Sequence, residues 1–385
     1  MIPYGRQSID AADINAVVEV LQSDFLTQGP AVPRFEQALS SYCGAAHGVA
    51  VCNATAALHV ACLALGLGPG DLLWTSPITF AASANCALYC GADVDFVDID
   101  PKTYNMSVEH LAEKLDRAER DGRLPKIVVP VHLTGQSAQM LEIAELGRKY
   151  GFRIIEDASH AVGGAYRNGV VGDCRYSDIA VFSFHPVKII TTGEGGMAMT
   201  NDPELAARIQ LLRTHGQTRD PELFREDPDG GWYYEQVALG FNYRLTDIQA
   251  ALGHSQLRRI DGLVERRRHL AARYDEAFAD LPLTRPWQHP DSRSSFHLYV
   301  IRVDPSLRAP AYDGLRAAGV GVNLHYIPVP RQPYYRSLGF DPADWPEAEL
   351  YYSEAITLPL YPGLSDAEHD AVISAVARVL RDLAP

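Results

Sequence analysis

The sequence predicts an α/β protein: a large, mainly parallel seven-stranded sheet domain flanked by helices, and a smaller C-terminal α/β domain. Three observations predict it. Seven short apolar runs alternate with amphipathic stretches between residues 49 and 200, and strands that alternate with helices pair in parallel because each crossover brings the chain back to run the same way. Hydrophobic residues make up 47% of the chain and charged residues 21%, the balance of a protein with a sizeable core. The length of 385 residues accommodates two to three domains at about 150 residues each.

The elements follow in order. Residues 10–22 and 33–42 have helical periodicity, with Ser-Asp-Phe-Leu-Thr-Gln-Gly-Pro between them. Apolar runs at 49–52, 72–75, 94–97, 127–131, 153–156, 179–184 and 197–200 are strand-length. Helical patterns at 56–65, 80–89, 108–115 and 140–150 lie between several of them, and 203–212 is a further helix. Next comes a polar loop with Gly and Pro over 214–244, long enough to be functional or to pack on a partner. Residues 245–279 read as one strong helix with Asp247, Glu265 and several Arg on its polar side. The tail carries strands at 297–303 and 320–324 and ends in a helix over 366–383. The expected division is 1–245 for the large domain and 246–385 for the connecting helix and small domain.

Composition excludes several classes. Lys+Arg 34 against Asp+Glu 48 leaves a net charge of −14, which disfavours nucleic acid and anionic membrane as partners, although one basic pocket remains compatible with it. The six cysteines are scattered in apolar runs and read as buried, reduced thiols. Cys86 and Cys90 have helix-face spacing, but no second pair of ligands follows, so no metal is expected. No 18-residue apolar run and no apolar leader appear; the expected location is the cytoplasm.

Ligand sites in parallel sheets lie in the loops at the carboxyl ends of strands. Phe182-Ser183-Phe184-His185-Pro186-Val187-Lys188 closes one strand, with Gly193, Gly195 and Gly196 just beyond. A lone Lys is ordinarily a solvated charge; held among apolar and glycine residues it becomes a nucleophilic amine. Asp157 closes another strand in Ile154-Ile155-Glu156-Asp157. It reads as a metal ligand, a helix cap or the partner of a cationic ring nitrogen. Residues 51–57, Val-Cys-Asn-Ala-Thr-Ala-Ala, run from strand to helix, where free amides and the Thr55 hydroxyl face an anion or Thr55 serves as a cap. Neither G-x-x-x-x-G-K-[ST] nor G-x-G-x-x-G occurs, which weakens ATP and NAD readings. A Lys, an acid and a phosphate cradle at three strand ends are what pyridoxal phosphate (PLP) requires.

These motifs resemble the nucleotide-sugar aminotransferases, PLP enzymes of fold type I. The resemblance also covers Phe241-Asn242-Tyr243-Arg244-Leu245-Thr246-Asp247, Leu26-Thr27-Gln28-Gly29-Pro30 and His325-Tyr326-Ile327-Pro328, and spans nearly the whole chain. The branch most resembled works in pseudaminic-acid biosynthesis. It moves an amino group from glutamate to C4 of a UDP-linked 4-keto-6-deoxy-N-acetylhexosamine. The resemblance implies Lys188 as the lysine that bonds the cofactor and shuttles the proton, and Asp157 as partner of the ring nitrogen. His160 falls near the ring hydroxyl, where many relatives carry Gln. Phe80 matches the stacking aromatic, though a core aromatic fits that turn as well. Ala54, Thr55, Ala56 and Ser183 match phosphate ligands. Asn242 matches a phosphate ligand donated by the second subunit of a homodimer with shared sites; the alternative is a cap on the helix that follows it. Tyr4, Asp24, Phe25, Leu26, Thr27, Arg244, His325 and Tyr326 match the lining of the sugar-nucleotide pocket, against ordinary packing for Tyr4 and the His325-Tyr326 pair. Two rival readings remain: amination of another nucleotide-linked 3- or 4-keto sugar, and a regulatory protein built on a PLP domain. The latter needs a DNA-binding module, for which the chain has no spare helix-turn-helix or basic patch.

Overall fold

The computed structural model describes residues 1–383. Its central sheet contains β1 (His47–Val51), β2 (Leu72–Thr75), β3 (Asp93–Phe96), β4 (Ile127–Val129), β5 (Arg153–Asp157), β6 (Ile179–Ser183) and β7 (Gly196–Thr200). The spatial order is β1-β7-β6-β5-β4-β2-β3. Strands β6, β5, β4, β2 and β3 are mutually parallel, and β7 is antiparallel to both of its neighbours. Every residue of β6 and β7 is buried, as expected where helices cover both faces of a sheet.

Helices α1 (Ala11–Leu21) and α2 (Ala31–Cys43) precede the sheet. Helices α3 (Ala54–Ala64), α4 (Ala82–Tyr89), α5 (Val108–Asp121) and α6 (Met140–Tyr150) lie between its strands, and α7 (Pro203–Arg213) leaves it. Edge strand β1 is guarded on its open side. Glu36 of α2 accepts from the Ala50 amide at 2.8 Å, and Arg213 of α7 donates to the Ala50 carbonyl at 2.6 Å. Edge groups satisfied in this way cannot template pairing with another chain.

The expected helix over 245–279 is two helices, α8 (Asp247–Leu257) and α9 (Ile260–Ala277). The break falls at Arg259, whose φ of −118° and ψ of 15° leave the helical region. Its guanidinium reaches back to the Ser8 carbonyl and the Asp13 carboxylate, contacts that a straight helix has no signal for. Asp247 is likewise not on a polar face. It is buried at the start of α8, where its carboxylate accepts from the amides of Gly29 and Ala31, both at 3.0 Å. The 214–244 loop carries a short antiparallel pairing of residues 217–218 with 235–236.

The C-terminal unit is built on β8 (Tyr299–Arg302) and β9 (Ala355–Leu358), which pair antiparallel. Packed with them are α10 (Pro305–Ala317), α11 (Pro333–Ser337), α12 (Pro346–Glu354) and α13 (Asp366–Leu383). The strand expected at 320–324 is reduced to single bridges, Val320 with Ile2 and Asn323 with Thr357. Strand β9 takes its place beside β8. Apolar residues of α8 and of α9 up to Val264 belong to a core shared with α2 and β6. A second core, with Leu270 its first residue, gathers apolar side chains of α9, β8, β9, α10 and α13. No helix among the described residues is long and apolar enough to cross a membrane.

Candidate active site

A 510 Å³ cavity opens at the carboxyl ends of β5 and β6, walled on the far side by His297, His325 and Tyr326. Asp157 is the last residue of β5 and is buried. Its Oδ2 accepts from Ser83 Oγ at 2.5 Å and its Oδ1 from the Ser159 amide at 3.1 Å. Ser183 ends β6 and lines the cavity. The chain then turns through Pro186, with the Lys188 amide donating to the His185 carbonyl at 2.9 Å, and Lys188 enters the cavity opposite Asp157. Burial lowers the Lys188 pKa from 10.5 to about 8, against the opposing pull of the Asp157 charge.

The third element is the start of α3. Asn53, not Thr55, is its cap: Asn53 Oδ1 accepts from the Ala56 amide at 2.8 Å. That occupies Ala56 and leaves Ala54 and Thr55, both lining the cavity, as the free donors of the helix N-terminus. Gly196, at the head of β7, makes this approach possible. A Cβ there would lie 2.6 Å from Ala54 N and 2.6 Å from the Asn53 carbonyl carbon.

Neutral imidazoles line the other side. The Thr134 amide donates to His160 Nδ1 at 3.3 Å, so the neutral ring carries its proton on Nε2, 3.0 Å from the Tyr326 hydroxyl. Burial pushes His160 well below its ordinary value, with the nearby Lys188 charge adding to the effect. His297 packs on His160 with ring centroids 4.4 Å apart, and burial lowers it too. Burial takes His325 down to about 3, while its Nδ1 sits 2.9 Å from Thr357 Oγ1. Burial raises Tyr326, which stays a protonated phenol. Phe80 is 62% exposed at the mouth of the cavity, 6.3 Å from the Tyr326 ring. Tyr4 tilts over His325 at 5.3 Å.

Of the residues singled out from sequence, Lys188, Asp157, His160, Ser183, Ala54, Thr55, Phe80, Tyr4, His325 and Tyr326 meet in this cavity. Asp24, Phe25, Leu26 and Thr27 are exposed and lie outside its lining; they are tethered instead to the head of α8 through a Thr27–Thr246 bridge and an Asp247 amide to Leu26 carbonyl bond. Arg244 bridges Val51 outside the lining. Asn242 is exposed, also outside it, and caps nothing, since Thr246 and Gln249 form the capping box of α8. Sequence reading missed Ser83, Thr79, Ser159 and His297. The only signal for the first two was a Thr and a Ser one helical turn apart beside Phe80. His297 arrives from the small unit's side with no motif around it.

An amine with lowered pKa, an acid fixed at a strand end and unpaired helix amides make a donor set that fits PLP: a carbonyl-seeking nitrogen, a partner for a ring nitrogen and an anion cradle. With the sheet topology, they define an aminotransferase of PLP fold type I. The chain belongs to the DegT/DnrJ/EryC1/StrS aminotransferase family, whose model matches residues 7–377. It is 40% identical over 387 residues to the spore coat polysaccharide biosynthesis protein SpsC of Bacillus subtilis, covering 99% of this chain and 97% of that one. It is 36% identical to the UDP-4-amino-4,6-dideoxy-N-acetyl-beta-L-altrosamine transaminase of Campylobacter jejuni, covering 98% of each. Among solved structures, PseC of Helicobacter pylori, an aminotransferase of pseudaminic-acid biosynthesis, superposes with a TM-score of 0.90 at 31% identity over 99% of both chains. The PLP form of the putative sugar aminotransferase Spr1654 of Streptococcus pneumoniae does so with 0.90 at 31% over 100% of both.

Proposed function

We propose that this aminotransferase moves an amino group from glutamate to C4 of a UDP-linked 4-keto-6-deoxy-N-acetylhexosamine, as a homodimer with shared active sites. The observation that carries the reading is the convergence of Lys188, Asp157 and the α3 N-terminus on one cavity. The likeness to the transaminase of Campylobacter jejuni supports the choice of sugar. PLP supplies an electron sink for the carbanion formed at the reacting carbon. The chain's residues do the rest. Lys188 Nζ, with a pKa near 8, takes a proton from the donor's carbon and returns one to the sugar's. The Asp157 carboxylate holds the proton on the ring nitrogen. The Ala54 and Thr55 amides and the Ser183 hydroxyl bind the phosphate. Phe80 would cover the ring, and the neutral His160, whose Nε2 faces the Tyr326 hydroxyl, would stand on the side of the ring hydroxyl. His297, His325 and Tyr326, which come from the C-terminal part of the chain, form a wall of the sugar site.

Exposed apolar side chains in the 214–244 loop support the dimer, with Trp232 at 72% and Leu239 at 81% exposure. The shared-site reading rests on Asn242, which follows this loop and is exposed outside its own chain's cavity lining. One observation favours a second reading, amination of a different nucleotide-linked keto-sugar: the relative at 40% identity is named for spore-coat polysaccharide. Assaying the PLP-loaded protein with glutamate against UDP-linked 4-keto and 3-keto sugars separates the two. Amination of the 4-keto-6-deoxy-N-acetylhexosamine alone supports the first reading. Turnover only with another sugar selects the second, and none with any nucleotide sugar refutes both.

A further inference from the structure

We propose that Ser83, backed by Thr79, is a positioning residue that keeps the proton shared between Asp157 and the cofactor on the ring nitrogen; this rests on the role given to Asp157 above. Both hydroxyls are buried, Ser83 completely. Ser83 Oγ lies 2.5 Å from Asp157 Oδ2 and 2.7 Å from Thr79 Oγ1. A hydroxyl has one proton to give. The carboxylate contact is much shorter than the alternative 3.3 Å to the Phe80 carbonyl, and an ionised carboxylate is an acceptor only. Ser83 therefore donates to Asp157, and Thr79 donates to Ser83.

Asp157 forms no ion pair within 4 Å among the described residues. Its buried charge is met by the Ser83 hydroxyl on one oxygen and the Ser159 amide on the other. Donors to a carboxylate favour its charged form over its protonated form. When such an acid shares a proton with a ring nitrogen, each donor pushes that proton toward the ring. A chain of two hydroxyls does so more strongly than one, because the first polarises the second. The local sequence explains how the relay is built. Thr79 lies in the bend just ahead of α4 and Ser83 in the helix's first turn, and the bend brings the two hydroxyls to 2.7 Å of each other. Phe80, between them in sequence, is exposed at the cavity mouth. A single turn thus provides both the ring cover and the support for the acid.

The test uses the protein loaded with PLP labelled with 15N at the ring position. The wild-type resonance is expected in the pyridinium range. Ser83→Ala is expected to move it toward neutral pyridine and to slow the half-reaction with glutamate by about tenfold to hundredfold, the size of a lost hydrogen bond to a charge. Ser83→Thr, which keeps the hydroxyl, should restore both, and Thr79→Val should give a smaller change in the same direction. An unmoved resonance in Ser83→Ala overturns the proposal, even if the rate falls. Where Ser83→Ala does not retain PLP, Thr79→Val carries the test, and an unmoved resonance there overturns it. Failure of the underlying functional reading looks different: the wild-type protein itself would then show no borohydride-fixed label on Lys188.

Discussion

Gly196→Ala tests whether the α3 N-terminus is the phosphate cradle. The new Cβ would lie 2.6 Å from Ala54 N, 2.6 Å from the Asn53 carbonyl carbon and 2.7 Å from its oxygen. All three are backbone atoms, so no side chain can swing aside. Ordinary carbon contacts sit near 3.5–4.0 Å, so α3 or β7 must move apart by roughly 1 Å. Overpacking of this kind costs about 1–3 kcal/mol and is expected to lower the melting temperature of the apoprotein by several degrees. The displaced amides are those of Ala54 and Thr55. Misaligning charge-assisted bonds worth about 1.5–3 kcal/mol should weaken PLP binding by about tenfold to a hundredfold. Absorbance titration of apoprotein with PLP measures the affinity, and differential scanning fluorimetry the stability. Gly151→Ala is the control. Gly151 has a φ of +82°, its Cβ meets nothing within 4 Å, and it ends α6 away from the cavity. It should lose stability through backbone strain and keep its affinity. Wild-type PLP affinity in a folded Gly196→Ala protein would refute this placement of the cradle.

Four other outcomes are expected. Lys188→Ala should abolish turnover while the protein folds and binds PLP non-covalently; measurable steady-state activity removes Lys188 from its role. In apoprotein, amine-selective labelling of Lys188 should rise with pH to a midpoint of about 8, and Asp157→Asn should shift that midpoint lower, because the Asp157 charge favours the ammonium; a midpoint near 10.5 contradicts it. Asp157→Asn should slow both half-reactions by orders of magnitude, and single-turnover rates within about threefold of wild type, well under 1 kcal/mol, would remove Asp157 from its role at the ring nitrogen. Mixing inactive Lys188→Ala with inactive Asn242→Ala subunits should restore part of the activity, since a shared-site heterodimer holds one intact site; no recovery after verified subunit exchange rules the shared site out.

The strands and their order of appearance were legible because burial on both faces of a parallel sheet writes continuous apolar runs. Lys188 and Asp157 were legible because they close such runs. What stayed hidden depends on partners distant in sequence. Asp247 looks like a surface acid until residues 29–31 are placed over it. The break at Arg259 is set by Ser8 and Asp13, and periodicity alone reads through it. Strand β9 is four residues with one alternative neighbour at 320–324, so the choice between them rests on packing against β8. Ser83 and His297 belong to no motif. Their importance appears only once a carboxylate and an imidazole lie beside them.

The antiparallel β7 between β1 and β6 also has a consequence for biosynthesis. Strand β1 is complete at Val51, yet its hydrogen-bonded neighbour ends at Thr200. At about 5–20 residues per second, a ribosome takes roughly 7–30 s to cover that distance. The Arg213 contact that guards the other side of β1 arrives later still. For that interval β1 and the cradle helix behind it lack their contacts with β7 and Arg213, a long-range closure of the kind that slows folding. The nascent chain is therefore most open to misassociation before residue 200 emerges, and slower translation over residues 52–195 should increase its dependence on chaperones.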